Sequence, residues 1–265
     1  MLIDTHCHLD AAEFSADRDA VHAAAQAAGV GCIVVPAVNA ANFPEVQACL
    51  ARYPDCVAAY GIHPLYVMTA LEADLSILHD WLANEQPVAV GEIGLDFYVP
   101  DLDPVRQEFF FVEQLKLARQ FDLPVLLHVR RSVDAVLKQL RRIKVAGGIA
   151  HAFNGSRQQA EMLIDLGFKL GFGGAMTYPG STRIRELAAS LPIEAIVLET
   201  DAPDIPPHWL NRGRNSPAEL PRIAEVLADL RQMTVAEVVA QTSQNARQIL
   251  PGIDAIQRKS TQCLI

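Results

Sequence analysis

The sequence has few cysteines, no long apolar run and fewer basic than acidic residues. Its 5 cysteines are scattered among 265 residues without CxxC spacing, which argues against a disulfide framework or a zinc ribbon. We interpret all of them, from Cys7 to Cys263, as reduced thiols. No stretch reaches the roughly 20 consecutive apolar residues of a transmembrane helix, and no signal peptide precedes the first predicted strand. We therefore expect a cytoplasmic protein without a membrane segment, and no feature indicates an obligate protein partner.

The charge balance excludes one broad class of function. Lys and Arg number 22 against 31 Asp and Glu, which gives a formal net charge of -9 and a pI of about 5.3. A protein that binds nucleic acid by counterion release needs a broad basic surface, and this chain cannot form one. Any contact with nucleic acid must therefore be local, although bound divalent cations would offset part of the negative charge at a site.

Eight apolar runs rich in β-branched residues alternate with segments of helical spacing. The runs are LIDTHCH (2–8), GCIVVPAV (31–38), VAAYGIHP (57–64), PVAVGEIGLDF (87–97), PVLLHVR (124–130), VAGGIAHAF (145–153), FKLGFGGAMTY (168–178) and AIVLETDAP (195–203). Helix-start signals lie between them, at Asp103-Pro104, at Ser156 with Gln159, and at Ser216-Pro217 with Glu219. Because eight such units in about 250 residues are typical of one architecture, the sequence predicts an α/β fold, a (β/α)8 TIM barrel.

The chain end and the domain count follow from the same pattern. Thr234 with Glu237 begins a further helical segment, so we expect an extra C-terminal helix beyond the eight units. No linker or internal repeat argues for a second domain, which predicts one domain over 1–265, with a loosely held tail over 251–265. An open doubly wound sheet is the structural alternative. No GxGxxG motif follows a strand and precedes a helix, which disfavours it.

Histidines and acids interrupt the predicted strands close to their carboxyl ends, where barrel enzymes carry their chemistry. The six residues are His6 and His8 on strand one, Glu92 on strand four, His128 on strand five, His151 on strand six and Asp201 on strand eight. Any one of them alone would more often be a core histidine, a helix cap or a loop residue. If all six were buried without partners, each unpaired group would lower the stability of the fold by about 1–3 kcal/mol. A bound metal removes this cost. The set therefore predicts a site for two divalent ions.

Other polar residues share the same faces or the same rim. By strand alternation Asp4 lies one layer below His6, and Glu199 one layer below Asp201. There they would either orient ligand imidazoles or form an internal ion pair or polar layer. At the mouth we expect His63, Arg130 and Arg214. Imidazole and guanidinium donors around two metals suit an anionic oxygen substrate such as a phosphate ester.

These motifs, in this order, resemble a known family. The motifs are HCH (6–8), GEIGLDFY (91–98), LHVR (127–130), HAFNGS (151–156), GFGGAMTYP (171–179), ETDAP (199–203) and RNSP (214–217). Over about residues 1–250 they resemble the TatD family of metal-dependent hydrolases in the amidohydrolase superfamily, although DIPPHW after ETDAP departs from the family pattern. The resemblance implies a deoxyribonuclease or related phosphoesterase. It also implies one metal held by His6, His8, Glu92 and Asp201 and a second by Glu92, His128 and His151, with Glu92 bridging.

We therefore expect a divalent-metal-dependent hydrolase of the phosphodiesterase or deoxyribonuclease type. In this hypothesis a dinuclear centre lowers the pKa of a water, Asp201 takes the proton, and His63, Arg130 and Arg214 hold a phosphoester substrate such as DNA. Nitrogen-rich ligation suits Zn, Mn, Co or Ni, and the resemblance also permits Mg. One alternative is an amidohydrolase-type enzyme that acts on a cyclic amide, a lactone or a small phosphoester. The other is a non-catalytic metal-binding or nucleic-acid-binding module.

Overall fold

The computed structural model describes residues 1–254 and contains eight parallel strands in one ring. The strands are β1 (Leu2–Asp4), β2 (Val30–Pro36), β3 (Cys56–Tyr60), β4 (Ala89–Asp96), β5 (Val125–Arg130), β6 (Gly148–Ala150), β7 (Phe168–Phe172) and β8 (Ile196–Leu198). Each strand pairs with the next in chain order. Backbone hydrogen bonds from Thr5 to Leu198 (3.1 Å) and from Asp201 to His6 (2.8 Å) join β8 to β1. The predicted TIM barrel is confirmed.

Helices follow the strands and cover the ring from outside. They are α1 (Arg18–Ala27), α2 (Phe43–Arg52), α3 (Ala73–Glu85), α4 (Pro104–Gln120), α5 (Val133–Arg142), α6 (Arg157–Asp165), α7 (Thr182–Ser190), α8 (Leu220–Arg231) and α9 (Val235–Ile249). All residues of β3 and all residues of β4 are buried. This two-sided burial is expected for parallel strands that have helices on one side and the barrel interior on the other. It explains why the strands appear in the sequence as continuous apolar runs.

The barrel interior is apolar over its lower half and is closed at one end by α9. Residues from seven strands, among them Ile3, Val34 and Leu126, form one interior cluster with Ala246 and Ile249 of α9. The backbone just before β6 and β4 lies close to Ile249 and to Gly252, so α9 and the residues after it cover the amino ends of the strands. The extra C-terminal helix is confirmed, and the open end is the one that carries the polar residues.

The helix-start signals are confirmed with one difference. The Asp103 side chain accepts a hydrogen bond from Val105 N (2.8 Å) at the start of α4. Ser156 and Thr234 form complete capping boxes at α6 and α9. Ser216 caps a short 3-10 turn, and α8 begins only at Leu220.

The strands are shorter than the apolar runs that predicted them. β1 ends at Asp4 and β8 at Leu198, so His6, His8 and Asp201 lie in the segments that follow the strands. At the chain end Ile253 is buried, and Asp254 Oδ1 lies 3.3 Å from Arg247 Nε. The rest of the predicted tail, including Cys263, lies outside the described residues. Within residues 1–254 no helix has both the length and the apolarity needed to cross a membrane.

Candidate metal centre

A cavity of about 1960 Å³ opens at the carboxyl ends of the strands. Five of the six predicted ligands line it, namely His8, Glu92, His128, His151 and Asp201. His6 is fully buried beneath them. Residues more than one hundred positions apart in the chain thus meet at the barrel mouth.

The Glu92 carboxylate lies at the centre of this group, with histidines on both sides. Its Oε2 lies 3.2 Å from His6 Nε2 and 3.7 Å from His8 Nε2. Its Oε1 lies 2.9 Å from His151 Nε2 and 3.0 Å from His128 Nδ1. Asp201 Oδ1 completes the first side, at 3.6 Å from His6 Nε2. Each carboxylate oxygen therefore faces its own set of nitrogens, as a carboxylate shared by two ions would.

The donor set fits divalent metal ions. His6 is fully buried, yet neither of its ring nitrogens makes a hydrogen bond within the described chain. Burial, with His151 nearby, lowers the pKa of His6 to about 3, so this ring is neutral and keeps a lone pair. Neutral imidazoles together with carboxylate oxygens are the usual protein ligands of zinc and related ions. An unpaired buried nitrogen next to a shared carboxylate is the feature that a metal would satisfy.

Charges within the group favour cation binding. Burial opposes ionisation of Glu92, but His63, His151 and His6 outweigh it and hold the pKa of this carboxyl well below its usual range. Burial would lower the pKa of His151, but Glu92 and Asp201 outweigh it and raise that pKa to about 10. His151 also stacks on His6 with ring centroids 4.0 Å apart, which places it between the two sides of the group. A cation that binds here competes with the proton on His151.

Asp96 is a site residue that the sequence interpretation missed. Its Oδ2 lies 2.9 Å from His128 Nε2, and its Oδ1 accepts hydrogen bonds from Tyr98 N (2.8 Å) and Val99 N (3.0 Å). Burial opposes ionisation of Asp96, but His128 and these amides bring its pKa to about 2. An ionised carboxylate only accepts hydrogen bonds, so Nε2 of His128 carries a proton towards Asp96, and Nδ1 faces Glu92. Asp96 and Glu92 are four residues apart on β4, so strand alternation places them on the same face, and this pattern could have identified Asp96 as a site residue.

Gly94 permits the close contact of β4 with β5 that brings Asp96 to His128. It lies opposite His128 in the β4–β5 register, and Asp96 lies opposite Arg130. Its φ is +148°, and a Cβ there would be 2.0 Å from the backbone oxygen of His128. Any side chain at this position would therefore push the two strands apart.

Two of the three predicted substrate residues lie at the cavity. His63 Nε2 is 3.4 Å from Glu92 Oε1, and His63 Nδ1 accepts a hydrogen bond from Leu65 N (3.2 Å). Because Nδ1 accepts, the proton of the neutral ring lies on Nε2 and points towards Glu92 and the cavity. Arg130 lines the mouth, with its guanidinium 3.8 Å from the centroid of the Tyr98 ring.

Arg214 lies elsewhere, which corrects the expectation that it contacts substrate. Its guanidinium pairs with Asp17 (2.6 Å), donates to the backbone oxygen of Glu13 (2.6 Å) and covers the ring of Phe14. It is not among the described residues that line the cavity. The loop after β8 bends back towards the start of α1, where these partners occupy its donors.

Asp4 and Glu199 differ in what they contact. Ile3 belongs to the interior cluster, so Asp4 lies on the other face of β1. It accepts hydrogen bonds from the hydroxyl (2.6 Å) and amide (3.0 Å) of Thr200. Of the two alternatives, these contacts match a buried polar layer and not a carboxylate that orients an imidazole, because the chain leaves the strand after Asp4 and alternation does not continue to His6.

Glu199 lies beside His151, as the strand alternation predicts. Its Oε1 is 3.9 Å from His151 Nδ1 and accepts a hydrogen bond from Ala152 N. Gly171 of β7 leaves room for it, because a Cβ there would be 2.1 Å from Glu199 Oε2. Burial raises the pKa of Glu199 to about 8.

Asn215, in the RNSP motif, anchors the segment that carries Asp201. It is fully buried. Its amide donates to the backbone oxygens of Thr200 and Asp204, both at 2.8 Å, and its oxygen accepts from Ser216 N at 2.8 Å. The sequence analysis assigned Asn215 no role. Its bonds hold both ends of the turn that contains Asp201.

A TIM barrel with such a donor set at its mouth defines the class of metal-dependent hydrolases, and comparison with known proteins agrees. A family model described as "TatD related DNase" matches residues 3–251. The metal-dependent hydrolase YjjV of Escherichia coli K12, described as uncharacterized, is 42% identical over 239 residues, which cover 89% of this chain and 92% of that protein. The crystal structure of YjjV from E. coli K12 superposes with a TM-score of 0.91 at 40% identity and covers 94% of this chain and 98% of that one.

A further relative carries a more specific name. The 3'-5' ssDNA/RNA exonuclease TatD of Klebsiella pneumoniae strain 342 is 34% identical over 261 residues, which cover 96% of this chain and 98% of that protein. This chain belongs to the TatD family of metal-dependent hydrolases.

Proposed function

We propose that this protein is a phosphodiesterase that cleaves DNA with the help of two divalent metal ions. The observation that carries the proposal is the Glu92 carboxylate, whose two oxygens face separate sets of imidazoles at 2.9–3.7 Å. The name of the Klebsiella relative, an exonuclease on single-stranded DNA and RNA, supports a nucleic-acid substrate. The free, buried cysteines of the described chain are compatible with a cytoplasmic location, which is part of the proposal.

The residues at hand divide between two ions. His6, His8 and Asp201 would hold one, His128 and His151 the other, and Glu92 would contact both. Such ions supply Lewis acidity and lower the pKa of water towards neutrality. The many imidazoles favour Zn, Mn, Co or Ni, while Mg remains compatible with the family.

The surrounding side chains act on the water and on the phosphate. Asp201 reaches the cavity and accepts a proton from the attacking water through its carboxylate. His63 presents its Nε2 proton to a phosphoryl oxygen, and the half-exposed guanidinium of Arg130 provides paired donors to the same group. Glu199, whose Oε1 lies 3.9 Å from His151 Nδ1, would orient this ring when His151 binds an ion.

The test is hydrolysis of a substrate panel after chelation and stepwise addition of each metal. The panel contains a chromogenic phosphodiester, a phosphomonoester, short single-stranded DNA, a cyclic amide and a lactone. We expect metal-dependent cleavage of the phosphodiester and of DNA. Preference for the cyclic amide or the lactone would instead support the amidohydrolase alternative, and binding of DNA without any cleavage would support a non-catalytic module.

A substitution tests the role of Asp201 within this proposal. Asp201→Asn should lower kcat by about 10²- to 10⁴-fold, with a much smaller change in substrate affinity, because an amide cannot accept the proton. Asp134→Asn is the matched control, since Asp134 also lines the cavity but pairs with Gln159 (2.8 Å). Equal turnover of Asp201→Asn and wild type would remove Asp201 from this role.

A further inference from the structure

Several large apolar side chains at the cavity mouth are exposed, although side chains of this kind are usually buried. Leu65, Tyr66, Phe97 and Tyr98 line the cavity and are each 40–47% exposed. Three of the four are aromatic. Contiguous exposed apolar surface beside a site indicates that a ligand covers it.

These side chains and two arginines form a continuous arc on the rim. Leu65 and Tyr66 follow β3, Phe97 and Tyr98 follow β4, and Arg130 and Arg131 are at the end of β5. The three strands are neighbours in the barrel, so the loops are neighbours at the mouth. The guanidinium groups of Arg130 and Arg131 lie 3.8 and 4.6 Å from the Tyr98 ring centroid. We name these six residues the rim arc.

One end of the rim arc, Tyr66, lies beside His63, which faces Glu92. The Tyr66 ring meets the His63 ring edge-on, with centroids 6.2 Å apart. His63 Nε2 in turn lies 3.4 Å from Glu92. A phosphate held by His63 would therefore have the rim arc next to it, where the adjoining nucleosides of a polynucleotide would extend.

Aromatic rings beside guanidinium groups suit one ligand chemistry in particular. Single-stranded nucleic acid is bound by stacking its bases on aromatic side chains while cationic groups follow its phosphates. Bases in a duplex already stack on each other and are not free to do this. On a chain with net charge -9, such contacts must be local, and the rim arc provides them locally.

We propose that the rim arc binds the unpaired nucleotides next to the scissile phosphate, with bases stacked on Tyr66 and Phe97 and a neighbouring phosphate on Arg131. This inference rests on the proposed phosphodiesterase function and adds the side chains that hold the bases and the neighbouring phosphate. Tyr98 holds the two guanidinium groups in place by contact with its ring.

The experiment compares a short oligothymidylate with an abasic oligonucleotide of the same length, which keeps the phosphates but lacks the bases. For the metal-replete enzyme, the quantity measured is the ratio of kcat/KM for the two substrates. Phe97→Ala and Tyr66→Ala should each lower this ratio by about 5- to 150-fold, the effect of removing one stacking ring. Tyr66→Phe should keep the wild-type ratio, because stacking needs the ring and not the hydroxyl.

Phe109→Ala is the matched control, because Phe109 is 39% exposed on α4 and does not line the cavity. It should leave the ratio unchanged. Arg131→Ala should weaken cleavage of both substrates. It should also reduce by about 1 the slope of the logarithm of the binding constant for DNA against the logarithm of the salt concentration. The wild-type enzyme should also cleave the single strand faster than a blunt duplex of the same sequence.

The outcomes separate this inference from the proposed function. Unchanged ratios for Phe97→Ala and Tyr66→Ala, or an equal fall for Phe109→Ala, would overturn the rim arc. Failure of the wild type to cleave either oligonucleotide would count against the proposed function instead. In that case the rim arc is tested by binding, measured as the fluorescence anisotropy of labelled oligothymidylate. Phe97→Ala should weaken binding and Phe109→Ala should not.

Discussion

The contact between Asp96 and His128 allows a sharp prediction about metal binding. In Asp96→Asn, the side-chain oxygen keeps the hydrogen bonds from Tyr98 N (2.8 Å) and Val99 N (3.0 Å). The amide nitrogen then takes the place of the oxygen that lies 2.9 Å from His128 Nε2. Since an amide nitrogen only donates, Nε2 must accept, and the ring proton moves to Nδ1. Nδ1 is the nitrogen that lies 3.0 Å from Glu92, so the lone pair offered to a metal is lost.

The size of the effect follows from the behaviour of comparable residues. Loss of the outer partner of a ligating histidine lowers metal affinity about 10- to 100-fold, which is about 1.4–2.7 kcal/mol. Only the ion held by His128 should weaken to this extent, because the His6 and His8 side of Glu92 does not contact Asp96. The melting temperature without metal should change little, since both backbone amides keep their acceptor.

The assay is a competition titration of zinc and of manganese against a chromophoric chelator, starting from metal-free protein. We expect Asp96→Asn to weaken one of two binding steps while Asp134→Asn binds like wild type. A double variant sharpens the test: on a His128→Ala background, Asp96→Asn should cost nothing further, because Asp96 acts through that ring. Wild-type affinity in Asp96→Asn, or full additivity in the double variant, would refute the reasoning.

Three further predictions concern the whole site and its surroundings. Chelation should abolish hydrolysis and lower the melting temperature, since a ligand present at 100 times its Kd stabilises the folded state by about 2.7 kcal/mol; calorimetry with and without metal measures this. Asn215→Ala should destabilise the fold by about 1–3 kcal/mol for each buried group it leaves unpaired, as urea unfolding would show; an unchanged midpoint would contradict this. Arg214→Ala should leave KM for the phosphodiester unchanged, because Arg214 pairs with Asp17 away from the cavity, and steady-state kinetics would reveal any change.

The barrel was predictable because its cause is repeated along the chain. A strand buried on both faces must be apolar throughout, and the eight runs satisfy this requirement one after another. Polar residues inside such runs are costly, so their positions near the strand ends already indicated a site. The predicted positions of the strand ends were less accurate, because His151 and Asp201 lie beyond the last residues of β6 and β8.

The errors come from places where alternation no longer applies. Asp4 and His6 are two residues apart, but the strand ends between them, so their side chains face different surroundings. Arg214 lies in the segment between β8 and α8, whose path depends on contacts with residues such as Asp17 that are distant in the sequence. Asp96 is the opposite case, since β4 continues to that residue and the alternation that identified Glu92 extends to it.

His63 and His128 show what side-chain patterns cannot encode at all. Their rings are 4.4 Å apart, and both face Glu92 Oε1. His128 has a carboxylate behind it, which accepts a hydrogen bond from Nε2, so Nδ1 is the nitrogen left to bind an ion beside Glu92. His63 has a backbone amide behind it, which donates to Nδ1 and leaves a proton on Nε2. Two neighbouring imidazoles thus offer opposite chemistry to one cavity, and the difference depends on a main-chain group of Leu65 whose position only the folded loop determines.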